Sequence, residues 1–235
     1  MIQPLKRLMP LTIISLAWLL CSCGNTSNST SGLEGKIIYD VSFPFEKNTV
    51  MLDLYPKELT FHFKDDMMHS EIKSSYDLLT TDFIIDNKQR KLTQLLKNMS
   101  SRYGMQLDES GMQSWLAQYP EIRLEPTTET ETIAGYVCNK TVAHFVTDSL
   151  PDIFLYHTRG LGIDCSNWWN AFEGVDGFLL GYDMEQYGKR MRLRAREVKF
   201  EAIDDSEFAV PDNFKMTDAQ GMHAQIMDVV NEFMH

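Results

Sequence analysis

Period-two alternation of apolar and polar residues dominates this chain from Leu33 onward. Ile37, Tyr39, Val41, Phe43 and Phe45 fall on one side, with Asp40 and Ser42 opposite. Leu59, Phe61 and Phe63 repeat the pattern against Thr60, His62 and Lys64, and Tyr103, Met105 and Leu107 repeat it against Arg102 and Gln106. Successive side chains of a strand point to opposite faces, so these runs predict half-buried strands. Further strands are expected at Met67–Lys73, Asp82–Asp86, Lys91–Leu96, Ile133–Thr147, Ile153–His157, Phe178–Gln186 and Lys189–Ala202. The separations at Asp65-Asp66, Asp86-Asn87 and Tyr187-Gly188 are turn chemistry too short for crossover helices, which predicts hairpins and an antiparallel meander.

Helical periodicity is confined to two places. Ser110 followed by Gln113 is a capping-box signal for a short helix with Met112, Trp115, Leu116 and Tyr119 on one side. Thr217 and Gln220 make a similar signal before Met222, Ile226, Val229, Val230 and Phe233, an apolar stripe suited to packing on a sheet. Gly221 in the first turn of that helix costs about 1 kcal/mol relative to alanine. The expected class is mainly β with a few helices (α+β).

The N-terminus follows a different pattern. Lys6 and Arg7 precede an apolar run from Leu11 to Leu20, which is shorter than the roughly 20 apolar residues a spanning helix needs. The run ends in Leu20-Cys21-Ser22-Cys23, a lipobox in which a small residue precedes the cysteine that becomes the new N-terminus. Residues 1–22 therefore read as a lipoprotein signal peptide and Cys23 as the lipidated residue; the alternative is a plain secretory peptide containing cysteines. Acyl chains on the Cys23 thiol and amine would make anchoring stable, since one chain alone holds only marginally. Residues 23–32, with no apolar side chain after Cys23, read as a flexible tether. Residues 33–235 follow as a single β-rich domain with a C-terminal helix.

Charge narrows the partners. Removing the signal takes two of the 22 basic residues and none of the 33 acidic ones, leaving 20 against 33 and a formal charge of −13. Such a surface does not suit nucleic acid or anionic headgroups. Cys21 leaves with the signal and Cys23 takes lipid, so Cys138 and Cys165 remain, either as a candidate disulfide in an oxidising compartment or as two buried thiols.

Several strings resemble a known group, the uncharacterised envelope lipoproteins of Bacteroidota described as a domain of unknown function related to the GLPGLI family. They are Glu58-Leu59-Thr60, Phe83-Ile84-Ile85-Asp86, Glu131 to Lys140 with its Ile-Ala-Gly-Tyr-Val-Cys core, Gly174 to Leu180, and Ala195-Arg196-Glu197-Val198. The resemblance implies a LolA/LolB-like fold: one curved antiparallel sheet forming an open half-barrel with helices over its concave side. It supplies no catalytic residues. The residues after Cys23 lack the acidic cluster that the resemblance associates with surface export, so an outer-membrane anchor facing the periplasm is expected.

Candidate chemistry is sparse. Arg190, Arg192, Arg194 and Arg196 alternate on one strand and project from one face. If Tyr187-Gly188 is a two-residue loop, Arg190 faces Glu185 and Arg192 faces Asp183, which leaves Arg194 and Arg196 as candidate ligand-binding residues, as members of a solvated face, or as partners of another strand. Trp168 and Trp169, adjacent in a loop after Cys165, either line a cavity mouth or fold back into the core. The 14 methionines suit an adaptable lining and an irregular core equally. His62 and His69, on neighbouring expected strands with Asp65 and Asp66 between them, offer either a metal site or, the favoured reading, exposed residues beside a turn; His144 and His157 have no supporting pattern, so no metal site and no cofactor are expected. Gly-x-Ser-x-Gly, a glycine-rich phosphate loop and His-Glu-x-x-His are all missing from the sequence, so it gives no reason to expect an enzyme. The leading expectation is a non-catalytic binder of a lipid or other apolar ligand. Its alternative is a protein-interaction module of the cell envelope with a filled core.

Overall fold

The computed structural model describes residues 32–46, 54–147, 150–163, 167–186 and 189–234. The signal peptide, Cys23, Cys165 and the Tyr187-Gly188 loop lie outside the described residues. Twelve strands form one open, curved sheet: β1 Glu34–Ser42, β2 Glu58–Lys64, β3 Met67–Lys73, β4 Leu79–Asp86, β5 Lys91–Asn98, β6 Arg102–Asp108, β7 Ile122–Ile133, β8 Tyr136–Phe145, β9 Ile153–Thr158, β10 Phe178–Gln186, β11 Lys189–Phe200 and β12 Lys215–Thr217. Helix α1 spans Glu109–Leu116 and α2 spans Ala219–Met234.

The strand order is β12-β6-β5-β4-β3-β2-β1-β11-β10-β9-β8-β7. Two antiparallel meanders, β1 to β6 and β7 to β11, are thus joined where β1 pairs with β11. Helix α1 carries the chain from the β6 flank to β7, the opposite edge. The expected purely antiparallel sheet is corrected at one edge, where β12 pairs parallel with β6, Lys215 beside Tyr103. The segment after β11 reaches that edge by crossing β2 and β3, which lets it add a strand in the parallel sense.

Local chemistry accounts for the other departures. The expected strand Ile133–Thr147 is cut by a two-residue loop, Ala134 and Gly135, with φ of 49° and 86°, and Ile133 pairs with Tyr136 across it. Positive φ at both central positions matches the right-handed twist of a hairpin. That turn belongs to β7, a strand with few buried positions and therefore little alternation. β1 stops at Ser42, short of Pro44, which has no N–H to give a ladder, and Phe45 turns outward. α1 is capped by Asp108, whose Oδ1 accepts from the Gly111 amide at 2.8 Å, and not by Ser110. At α2 the Gly221 amide donates to Asp218 Oδ1 at 2.8 Å in the same way.

One face of the sheet buries Ile37, Tyr39, Phe61, Phe63, Met68, Ile85, Leu92, Leu180 and Leu193 in a continuous core. Met112, Trp115 and Leu116 of α1 and Leu161, Ile163 and Trp168 of the β9–β10 connection join the same cluster. Met222 and Val229 of α2 pack with Leu96 and Met105 near the β6 flank. A second, smaller core gathers Phe172, Val175 and Leu179 with Ala143, Ile153 and Leu155. Among the described residues, no helix is long and apolar enough to cross a membrane.

Candidate functional site

The arginine row takes the register that the hairpin chemistry predicts. Asp183 pairs with Arg192, Glu185 with Arg190 and Gly181 with Arg194 across β10 and β11. Its charges are spent within the protein. Arg192 donates from Nε and Nη2 to the Asp183 carboxylate at 2.8 and 3.2 Å, and Arg190 Nη2 adds a third bond at 3.1 Å. Arg190 also donates to the Pro151 and Asp152 carbonyls at 2.9 and 2.7 Å. Both guanidiniums lie over the Phe45 ring, 4.6 and 5.6 Å from its centre, which gives that outward aromatic a cation–π role.

Arg194 and Arg196, the pair left over by the hairpin register, also have partners within the protein. Arg194 pairs with Glu131 of β7 and lies over Tyr156, while Arg196 donates to Asp40 of β1 and Glu58 of β2 at 2.7 and 2.8 Å. Both arginines and their charged partners are about half exposed. Their partners come from strands far along the chain, which neighbour counting within one hairpin does not reach.

The tryptophans divide. Trp168 is 2% exposed, its indole N–H donates to Asn87 Oδ1 at 2.9 Å, and Arg90 stacks over its ring. Trp169 is half-buried against the same core, and its Nε1 is buried with no hydrogen-bond partner. The loop folds back onto the sheet, so Trp168 lines no cavity mouth. Asn167 holds the fold-back in place, its side chain donating to the Val175 and Gly177 carbonyls at 3.1 Å each. Gly177, at φ 101°, lies so close to Thr158 that a Cβ would meet its carbonyl oxygen at 2.6 Å.

Cys138 is a free and fully buried thiol whose burial pushes its pKa up to about 11. Its candidate partner, Cys165, lies outside the described residues. A thiol so far above neutral pH and shielded from solvent is a packing residue with little thiolate to react. His157 is likewise structural: its Nδ1 donates to the Asp176 carbonyl at 2.7 Å, and its Nε2 accepts from Thr141 at 2.9 Å.

A cluster of polar groups whose third member, Glu207, no sequence pattern indicates lies on the opposite face of the sheet from the main core. His62 and His69 oppose each other across β2 and β3, and neither stands out in solvent: His69 is 9% exposed and His62 is half-buried. They are covered by the segment that leaves β11. Lys36 ties this strap down through Glu201 at 2.6 Å, Glu34 accepts from the Ile203 amide at 3.0 Å, and Lys64 bonds the Ile203 carbonyl and Asp205 at 2.8 and 2.7 Å. A 3₁₀ turn, Asp205–Phe208, then sets Glu207 beside both imidazoles, its Oε2 lying 3.4 Å from His62 Nδ1 and 3.8 Å from His69 Nδ1. On the far side of His69, Nε2 bonds Asp82 Oδ1 of β4 at 3.1 Å. Burial pushes the His62 pKa down against the opposing pull of Glu207, so a neutral ring is favoured at neutral pH. A cleft of about 300 Å³ near the strap is lined by Lys64, Asp65, Asp66, Asp86, Lys88 and Asp205 together with Met67 and Phe208.

No family model matches the sequence, and no curated protein matches it. Among solved structures, the chain is similar in fold to PNGF-II in a C2 crystal form, with a TM-score of 0.54 and 19% identity over 83% of this chain and 33% of that one. The chain thus spans about a third of the length of PNGF-II, and likeness at this identity speaks to the fold alone. A second similar structure is MucB in complex with MucA(peri), with a TM-score of 0.31 and 9% identity over 79% of this chain and 57% of that one.

Proposed function

We propose that this chain is an envelope lipoprotein of the Bacteroidota type it resembles, held by acyl chains on Cys23 at the outer membrane and facing the periplasm, and that its domain is a non-catalytic protein-interaction module. On this reading the curved sheet is a half-barrel of the LolA/LolB kind whose concave side is occupied by the protein itself. The observation that carries it is the packing of Trp168, with Met112 and Trp115, onto the aromatic and aliphatic face of β1, β2, β10 and β11. Space that a lipid carrier would keep for its cargo is taken here by side chains of the α1 and β9–β10 segments. The leading expectation from sequence, a binder of lipid or another apolar ligand, is correspondingly less well supported than its alternative.

Two measurements test the two halves of the proposal. Cells fed labelled palmitate should incorporate it into the wild-type chain and not into Cys23→Ser; equal labelling of both removes the anchor. Native mass spectrometry of the Cys23→Ser chain, which has no acyl groups of its own, should give the unliganded mass after gentle purification. A stoichiometric acyl adduct would restore the carrier reading.

A further inference from the structure

We propose that His62, His69 and Glu207 form a zinc site on the outer face of the sheet, closed by the strap that follows β11. The inference is independent of the anchor and of any partner. One nitrogen from each ring and one Glu207 oxygen lie within 4.8 Å of one another, and the two measured nitrogen-to-oxygen separations are 3.4 and 3.8 Å. A tetrahedral Zn²⁺ with bonds of about 2.0–2.1 Å sets its ligands about 3.3 Å apart, so the two histidine-to-glutamate edges need only a small contraction. Glu207 can supply that movement, because its side chain is 44% exposed on a short turn while the histidines are fixed in strands.

The hydrogen bonding of His69 points the same way. A neutral His69 ring that donates from Nε2 to the Asp82 carboxylate turns its Nδ1 lone pair toward Glu207. In that tautomer a lone pair faces a carboxylate oxygen at 3.8 Å, a repulsion that a cation or a proton between them relieves. His69 Nδ1 and His62 Nδ1 are buried, and neither has a hydrogen-bond partner. Unpaired buried nitrogens are uncommon in folded proteins, and two converging on one carboxylate are what a missing metal leaves behind. The Asp82–His69 pair also has the form of the carboxylate–histidine–zinc relay, in which the outer carboxylate fixes the tautomer and raises ligand basicity.

Two imidazoles and a carboxylate favour zinc among common divalent ions, since calcium and magnesium prefer all-oxygen sets. Three protein ligands leave the fourth position of a tetrahedral ion to water or to a partner's side chain. Metal at this point would join β2 and β3 to the strap and so fix the route by which the chain reaches β12.

The test is calorimetric titration of the chelator-treated full chain with Zn²⁺, with Co²⁺ as a spectroscopic probe. The expected result is one Zn²⁺ per chain and a visible d–d band of tetrahedral Co²⁺. His62→Ala and Glu207→Gln should each abolish both signals; Glu207 is on the surface turn, so that variant is expected to keep the wild-type circular dichroism spectrum. Asp82→Asn should retain the stoichiometry and weaken binding by about 10–100-fold. His144→Ala, which removes a separate histidine bonded to Asp152 at 2.9 Å, should change nothing. Absence of binding by the wild type, binding that survives Glu207→Gln in a folded chain, or binding lost only with His144→Ala would overturn the proposal.

Discussion

Replacing Trp168 with alanine is expected to lower the midpoint of thermal unfolding by roughly 10 °C. Truncating a buried tryptophan costs about 3–5 kcal/mol, and 1 kcal/mol shifts a domain of 150–250 residues by about 2–4 °C. The indole is 2% exposed and belongs to the main core, where it packs the β9–β10 connection onto the sheet. Most of the loss comes from that packing. The hydrogen bond to Asn87 contributes less, because Asn87 sits in the β4–β5 turn and water can replace the indole N–H there. Trp168→Phe, which keeps an aromatic ring and loses the donor, should therefore cost only about 1 kcal/mol. Urea denaturation followed by circular dichroism separates the two variants. The same substitution probes the proposed function, since an apolar hole in a core binds small apolar molecules. Added indole should recover part of the lost stability in Trp168→Ala and leave the wild type unchanged. A loss below about 1 kcal/mol would mean that the concave side is not closed by this residue.

How much of this was readable beforehand follows from burial. β2 shows clean alternation because one face packs on the core and the other is only half-covered, whereas β3 buries Met68, His69 and Ser70 in succession under core and strap, although Met67–Lys73 falls where it was expected. β7 has few buried positions along its length, so its threonines and glutamates carry no period and the strand was invisible. β12, three residues long, is too short to show any period. The β10–β11 register was legible because a two-residue loop fixes it. The partners of Arg194 and Arg196 were not, because strand adjacency between β1 and β11 is a property of the whole sheet. Glu207 illustrates the same limit at the proposed zinc site. Nothing near it in sequence hints at histidines, and only the path of the strap brings it to His62 and His69.

Asp183→Asn is expected to destabilise the domain by about 3 kcal/mol, although the substitution is nearly isosteric. Asp183 is 3% exposed, yet it answers two guanidiniums through three hydrogen bonds. Removing one partner of a buried ion pair costs about 3–5 kcal/mol, because the charge left behind is unpaired. The low end applies because Arg192 is half exposed and water can take over part of its solvation, whereas Arg190 is largely buried and keeps only the Pro151 and Asp152 carbonyls. Its Nε is already buried without a partner, so the site has little slack. Arg196→Ala provides the contrast. Its ion pairs with Asp40 and Glu58 are as short, but all three side chains are about half exposed, and such surface pairs contribute about 0–1 kcal/mol. A combined Asp183→Leu and Arg190→Met chain should recover much of the loss, since apolar replacement of a whole buried pair is often neutral. Equal melting points for Asp183→Asn and Arg196→Ala would show that the arginine row is a uniform solvated ladder. A gap of several degrees assigns the structural work to Asp183 and Arg190 at one end of it.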